Sequence, residues 1–189
     1  MLSAEWDNHN KYANMEFHVM RRTFTRINML LAALVTSGMV HAAEPKAIGE
    51  FDDWTAYVYL ENKSKVCYMV SKPKKKEGNY SKRGDVFALV THRPAEKSKN
   101  VFSFVAGYPF KSDSEVIVQI GTQQFKLFTQ DETAWASDAA TDNKLAAAIR
   151  GGSTMIVKGV SAQGTATTDT FGLKGSSAAH AAISKECGI

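Results

Sequence analysis

The pattern of hydrophobic and polar positions after residue 50 is that of short β-strands. Residues 54–60 and 66–71 are rich in aromatic and β-branched side chains, and the short polar link between them predicts a hairpin. Gly121 lies in a second tight link, which predicts another hairpin. The further strands are predicted over 86–91, 101–108, 115–120, 124–129, 155–161 and 165–173.

Two segments change to a helical period. Over 138–150, apolar residues recur at helical spacing, and Asp138 or Thr141 can cap the start. An alanine-rich segment over 176–186 predicts a second helix, which Ser176 or Ser177 can cap and Gly188 can end. Short strands, two short helices and no βαβ alternation favour a mainly β, antiparallel sandwich or barrel. We expect one domain over 44–189.

The N-terminal region predicts export. Within residues 20–43, three arginines precede an apolar run over 27–40, which is typical of a Sec-type signal peptide. Cleavage is expected after Ala42 or Ala43, leaving no transmembrane span. The alternative is an uncleaved anchor, but about 14 apolar residues fall short of the ~20 needed to cross a bilayer. The predicted location is the periplasm, the outer envelope or the exterior.

Residues 1–19 precede a signal peptide that already begins with its own Met20. They are polar and partly acidic, which gives them no physical role before a signal peptide. We interpret them as an upstream extension, with an extended n-region as the alternative.

Charge is unevenly distributed. The composition, with 44% hydrophobic and 22% charged residues among 189, excludes disordered, collagen-like and membrane-bundle proteins. The segment 72–99 carries nine basic and three acidic side chains. Such a patch could bind an anionic envelope component or an acidic protein partner, whereas missing aromatic interleaving disfavours specific nucleic-acid binding. The alternative is a solvated loop, since 72–79 reads as a turn-rich connection. The candidate patch is Lys72, Lys74, Lys75, Lys76, Lys82, Arg83, Arg93, Lys97 and Lys99.

Both cysteines, Cys67 and Cys187, lie in the exported portion, where an oxidising compartment favours a disulfide between them. The alternatives are a metal pair, a catalytic thiol with His92 or His180, or intermolecular bonds. No CxxC motif or histidine cluster supports these alternatives.

The sequence contains no recognisable catalytic or nucleotide-binding motif. His92 and His180 are the two histidines that remain after signal removal. We therefore expect no catalytic residue, cofactor or metal site. The alternative is a periplasmic hydrolase that uses His92 with a distant nucleophile.

Several motifs, taken together, resemble one family of bacterial exported proteins. They are the Thr-His-Arg-Pro-Ala-Glu-Lys run over 91–97, the Val-Ala-Gly-Tyr-Pro-Phe-Lys run over 105–111, Ala134-Trp135, the turn over 152–155 and the segment 164–175. This combination resembles the invasion-associated locus B (IalB) family, and the similarity covers residues 50–188.

The resemblance implies an immunoglobulin-like antiparallel β-sandwich in a Gram-negative envelope, with no cofactor and no established catalytic residue. Many relatives carry a cysteine in the first strand after the tryptophan, whereas residues 54–59 contain none. We expect a virulence-associated family member that acts by binding an envelope or host-facing partner. A purely structural role in envelope stability is an alternative, and the sequence leaves the oligomeric state open.

Overall fold

The computed structural model describes residues 44–189, so the predicted extension over 1–19 and signal peptide over 20–43 lie outside the described residues. The mainly β fold with two helices is confirmed. The helices are α1 (Ala139–Gly151) and α2 (Ser176–Cys187). The strands are β1 (Lys46–Phe51), β2 (Trp54–Glu61), β3 (Ser64–Ser71), β4 (Lys75–Gly78), β5 (Phe87–Arg93), β6 (Ser98–Val105), β7 (Glu115–Ile120), β8 (Gln123–Gln130), β9 (Thr133–Trp135), β10 (Thr154–Val160) and β11 (Ala166–Gly172).

The strands form one open sheet in the order β1-β2-β3-β5-β6-β9-β8-β7-β10-β11-β4, and every neighbouring pair is antiparallel. The short strand β9 joins a first half (β1, β2, β3, β5, β6) to a second half (β8, β7, β10, β11, β4). The hairpins predicted around β2–β3, β7–β8 and β10–β11 are present. In the β7–β8 link, Gly121 has a φ of 56°, a left-handed conformation that costs glycine little.

The core lies on one face of the sheet, here called the inner face. Because successive side chains of a strand point to opposite faces, alternate positions of each strand are buried. One inner row crosses β2, β3, β5 and β6 and consists of the fully buried Ala56, Met69, Val90 and Phe102. The ring of Phe104 on β6 lies 6.2 Å from that of Phe171 on β11. The inner faces of the two halves therefore pack against each other.

Helix α1 begins as the sequence predicts. The carboxylate of Asp138 accepts a hydrogen bond from the backbone N–H of Thr141 at 2.8 Å, which satisfies one of the free donors of the first turn. Leu145 and Ile149 are fully buried, and the helix packs against β6. The helical spacing of apolar residues thus marks the side of α1 that faces the core.

Helix α2 packs on the first half of the sheet, and a disulfide between Cys187 and Cys67 ties its last turn to β3. The helix ends at Gly188, which adopts the left-handed conformation that the sequence predicts. The expected serine cap is wrong, because the N-cap is Gly175. The hydroxyl of Ser176 instead donates to the Ile149 carbonyl at 2.9 Å and links α2 to α1. Neither helix of the described residues is long and apolar enough to span a membrane.

The sequence patterns do not predict three of the strands, which are β1, β4 and β9. Strand β4 shows why. The turn-rich connection expected over 72–79 contains this four-residue strand, which pairs with β11 at the edge of the sheet. All its residues are exposed, so no apolar alternation marks it. Lysines on an edge strand also disfavour pairing with another chain.

Candidate functional site

A polar groove of about 880 Å³ opens at the end of the second half of the sheet. It lies between the segment 79–84, which follows β4, and the segment 161–165, which joins β10 to β11. Its lining combines polar side chains with apolar carbon, and the polar side chains include one ammonium group and one carboxylate. Among them are Asn79, Tyr80, Lys82, Glu132, Ser161 and Gln163. Such a lining suits a hydrated polar ligand better than an apolar one.

Two glycines position the wall of the groove. The backbone N–H of Gly84 donates to the carbonyl of Gly107 at 2.9 Å. Gly107 has a φ of 70°, and a Cβ atom built on it would lie 2.7 Å from the Gly84 carbonyl oxygen. A side chain at position 107 would therefore separate the segment 79–84 from the sheet.

Below this segment, Arg83 forms a buried ion pair with Asp169 of β11. Its Nη1 and Nη2 donate to the two carboxylate oxygens at 2.8 and 2.6 Å, and its Nε donates to the Ala106 carbonyl at 2.8 Å. The two side chains are 1% and 0% exposed. Burial alone would lower the pKa of Arg83, but the hydrogen bonds and charge of Asp169 outweigh it and raise the pKa.

Aromatic rings complete the surroundings of Arg83. Its guanidinium carbon lies 5.3 Å from the ring centre of Tyr80 and 4.9 Å from that of Tyr108. The hydroxyl of Tyr108 shares a 2.6 Å hydrogen bond with Thr167. Because its partners within the protein hold the guanidinium so closely, Arg83 fixes the groove wall and is poorly placed to bind an external anion.

The structure divides the nine basic candidates into two groups. Lys97 and Lys99 follow the C-terminal end of β5 beside Arg93, which pairs with Glu61. The other group lies near the groove or near the N-terminal end of β5. The seven residues of β5 separate the two groups of basic side chains by roughly 20 Å. This second group consists of Lys72, Lys74, Lys75, Lys76, Lys82 and Arg83.

Several lysines of the second group have partners within the chain. Lys74 pairs with Asp53 at 2.5 Å, Lys75 pairs with Glu77 at 2.8 Å, and Lys72 lies 5.3 Å from the ring centre of Phe87. Within residues 44–189, Lys76 and Lys82 form no ion pair, and both are exposed. Lys82 lines the groove and Lys76 lies on β4, the strand that precedes the segment 79–84, so both remain available to a ligand.

A second polar cluster lies between α2, β5 and β6 and contains both candidate histidines. The backbone N–H of Asn100 donates to His92 Nδ1 at 3.0 Å, so His92 carries its proton on Nε2. His92 Nε2 then donates to Ser184 Oγ at 3.1 Å, and Ser184 donates to His180 Nδ1 at 3.4 Å. His180 Nε2 donates to the Asn100 side-chain oxygen at 2.7 Å and closes the ring of hydrogen bonds.

This network fixes both histidines in their neutral forms. Burial lowers the pKa of each to about 4. Because His92 presents a proton to Ser184 and accepts one from Asn100, it is not oriented to act as a general base on that serine. The sequence did not single out Ser184, and its only signal is the four-residue spacing from His180 on α2. The arrangement attaches α2 to the sheet.

Asp142 of α1 is a third buried polar group. Its Oδ1 accepts a hydrogen bond from the backbone N–H of Phe102 at 2.9 Å, and the residue is 5% exposed. Burial raises the pKa of the carboxyl to about 7, the Phe102 hydrogen bond opposes that rise, and the charge of Asp138 adds to it. Sequence reasoning missed Asp142 because it lies among exposed polar residues near the helix start.

The raised pKa of Asp142 predicts a stability that falls as pH rises. The unfolded chain loses this proton near its ordinary value of 3.8, whereas the folded protein keeps it up to about 7. The stabilising difference is therefore full below 3.8 and is lost as pH rises towards 7. We expect Asp142→Asn, which stays neutral, to raise the free energy of unfolding at pH 8 by about 2–4 kcal/mol relative to wild type.

Urea unfolding of both proteins between about pH 5 and 9 checks this expectation. Taking the difference at each pH removes the contribution of the two histidines, whose lowered pKa values have the opposite sign. Asp138→Asn on the same helix is the comparison, because hydrogen bonds from Thr141 and Ser137 lower the pKa of exposed Asp138 and keep it ionised in this range. Its difference from wild type should vary with pH much less than that of Asp142→Asn, because Asp138 acts only through its smaller contribution to the Asp142 pKa. A variant-minus-wild-type difference that does not grow with pH would contradict the assignment.

Within residues 44–189, no group of three or more His, Cys, Asp or Glu side chains is arranged to hold a metal ion. The polar groove is the candidate site, and its lining carries one exposed ammonium group, Lys82, and one carboxylate, Glu132.

Comparisons with known proteins show which family this chain resembles. The family model described as "Invasion associated locus B (IalB) protein" matches residues 54–184. The crystal structure of invasion associated protein B from Bartonella henselae matches with a TM-score of 0.51 and 16% identity. The match covers 73% of this chain and 95% of that chain, and at this identity it supports the fold alone. No curated protein matches the sequence.

Proposed function

Because the chain belongs to the invasion-associated locus B family, we propose that it is an exported envelope protein that acts by binding an anionic envelope or host-facing component. The observation that carries the proposal is the polar groove lined by Lys82, with Lys76 on the adjoining strand β4. Within residues 44–189 both lysines are exposed and form no ion pair. An ammonium group at the rim of a hydrated groove attracts phosphate or carboxylate groups without excluding water from them.

Two features support export. The disulfide between Cys67 and Cys187 is the kind of bond that persists in an oxidising compartment. The predicted signal peptide over 20–43 would bring the chain there. The proposal therefore places the groove in the periplasm, on the outer envelope or outside the cell, where lipid and saccharide phosphates are abundant anionic groups.

The role proposed for the groove is binding without catalysis. Catalysis requires titratable groups that converge on one accessible point. In the described chain, Arg83 and Asp169 satisfy each other below the groove, and the histidines lie in the separate, closed network beneath α2. The groove itself offers hydroxyl, amide and ammonium groups and the single carboxylate of Glu132, which bind and orient ligands.

Charge-matched variants test the proposal. We expect the Lys76→Ser, Lys82→Ser double variant to bind phosphatidylglycerol vesicles or lipopolysaccharide roughly 30-fold more weakly than wild type, because each lysine near an anionic surface contributes about 1 kcal/mol. The control is Lys97→Ser, Lys99→Ser, which removes the same charge at the far end of β5. Vesicle co-sedimentation and titration with lipopolysaccharide measure the affinities.

The salt dependence supplies a second criterion. Wild-type binding should weaken as sodium chloride rises from about 50 to 300 millimolar, because counterions screen exposed charges. Equal losses in the two double variants would show that net charge, and not the groove, determines binding. Salt-insensitive binding, or no binding to either probe, would also reject the anionic ligand. The vesicle and lipopolysaccharide arms distinguish a phospholipid from a phosphorylated saccharide.

A further inference from the structure

The face of the sheet opposite the core carries an unusual concentration of aromatic and aliphatic side chains in its first half. One row crosses β2, β3, β5, β6, β9 and β8 in that order. A second row lies beside it on β2, β3, β5 and β6. The first row consists of Thr55, Val70, Leu89, Ser103, Trp135 and Phe128. The second consists of Tyr57, Tyr68, Thr91 and Val101. We call these two rows the aromatic face.

Neither α1 nor α2 covers the aromatic face. Helix α2 is bonded to the opposite, inner face through Cys67. Helix α1 contacts the same inner side, because Asp142 accepts the hydrogen bond from Phe102 and both groups are buried. On the aromatic face itself, Phe128 is 43% exposed. Ser103 is buried, and the remaining residues of the two rows are half-buried by their neighbours on the same face.

The outer face of the second half of the sheet provides a comparison, because its residues are those of an ordinary solvent-exposed sheet. Its matching outer row crosses β8, β7, β10, β11 and β4 and consists of Lys126, Ile117, Lys158, Thr168 and Glu77. Charged and hydroxyl side chains dominate that row. Since both rows lie on the outer side of one continuous sheet, the fold does not require the apolar character of the aromatic face.

We propose that the aromatic face is the contact surface between two copies of this chain. Its composition is that of a protein interface core, since it contains Tyr, Trp and Phe side chains and charge is confined to the margin. At that margin Arg93 donates to the hydroxyl of Tyr59 at 3.2 Å and pairs with Glu61. Because that pair neutralises itself, two identical faces can meet without repulsion.

The size of the face agrees with a reversible dimer. Six strands span about 24 Å, and the aromatic face together with its flanking outward residues Tyr59 and Phe87 spans about 20 Å along them. This larger surface has a footprint on the order of 500 Å² per copy. Two copies would bury on the order of 1,000 Å², the lower limit for a specific interface. We therefore expect association at micromolar concentrations. The exposed lysines beside the groove lie outside this face, so dimerisation and the proposed binding function are independent.

Sedimentation velocity tests the proposal on the processed chain purified from the envelope fraction, between about 1 and 100 micromolar. Wild type should shift from monomer to dimer over this range. Leu89→Glu places a charge in the centre of the face and should weaken the dimer more than about tenfold. Ile156→Glu is the matched control, since Ile156 is also a half-buried, outward residue of a central strand, β10. It should leave the dimer unchanged.

Phe128→Lys provides a second variant that does not depend on tolerance of a buried charge, because Phe128 is already exposed at the edge of the face. It should weaken the dimer several-fold while the circular dichroism spectrum stays that of wild type. A wild-type chain that stays monomeric at every concentration would overturn the proposal. Equal weakening by Ile156→Glu would do the same. If a monomeric wild type binds phosphatidylcholine vesicles and Phe128→Lys abolishes that binding, the face contacts lipid and the dimer is rejected.

Discussion

Replacing both Cys67 and Cys187 with alanine is expected to lower the free energy of unfolding by about 4 kcal/mol. The bond joins residues 120 positions apart, and a cross-link over so long a loop removes many conformations from the unfolded chain. Both sulfur atoms also lie in the core, since Cys67 is fully buried and Cys187 is 9% exposed. The alanine variant thus loses packing as well as the covalent link.

Urea unfolding with and without reductant separates the bond from its surroundings. Wild type should lose most of this stability in reductant, whereas the Cys67→Ala, Cys187→Ala variant should be insensitive to it. A variant within about 1 kcal/mol of oxidised wild type would show that the link contributes little.

Removing the disulfide should destabilise α2 more than the rest of the protein. This helix buries mainly small side chains such as Ala179, with Ile183 as its larger apolar contact, so hydrophobic burial contributes little to its docking. Without the disulfide, the hydrogen-bonded network of His92, Ser184 and His180 is its main polar attachment. Amide hydrogen exchange should therefore show a larger loss of protection in α2 than in α1.

Much of the fold could be predicted from local patterns. Strands such as β5 and β7 alternate buried and half-buried or exposed positions, and this alternation is visible in their sequences. The helix stop at Gly188 follows from the conformational freedom of glycine. By contrast, β4 is exposed along its whole length and forms only because β11 offers a free edge. Nothing local distinguishes such a strand from a loop.

The candidate site was less predictable, because it depends on long-range contacts. The candidate basic residues lie within one stretch of sequence, from Lys72 to Lys99, but β5 separates the first of them from the last in the fold. The run also mixes roles, since Lys76 is exposed whereas Arg83 is buried against Asp169, 86 residues away. Counting charges along the chain cannot reveal such pairing. The aromatic face likewise emerges only from the strand register, which aligns residues from six strands.

The buried pair of Arg83 and Asp169 leads to the second large effect. Replacing either residue alone, by Arg83→Met or Asp169→Leu, is expected to destabilise the protein by about 3–5 kcal/mol, because each change leaves an uncompensated charge in the core. The double variant should lose much less than the sum of the two, since neither charge then remains buried. Urea unfolding of the four proteins gives the coupling energy directly.

An exposed ion pair provides the comparison. Lys65 and Glu186 lie 2.7 Å apart, but their side chains are 51% and 35% exposed. The matched Lys65→Met variant should cost less than about 1 kcal/mol, because solvent screens such pairs. If the destabilising effects of the Arg83 and Asp169 variants simply added, the two charges would not be coupled. The buried pair would then not be what fixes the groove wall.

The same variants separate structural from ligand-binding roles of Arg83. In the double variant, the segment 79–84 loses the bond from Arg83 Nε to the Ala106 carbonyl but keeps the one between Gly84 and Gly107. Exchange of its amides should therefore become faster while the sheet stays protected. The loss of anion affinity should then follow the increase in mobility of the segment 79–84. Lowering the temperature should recover part of the lost affinity. A loss of binding with unchanged exchange would instead make Arg83 a direct ligand of the anion.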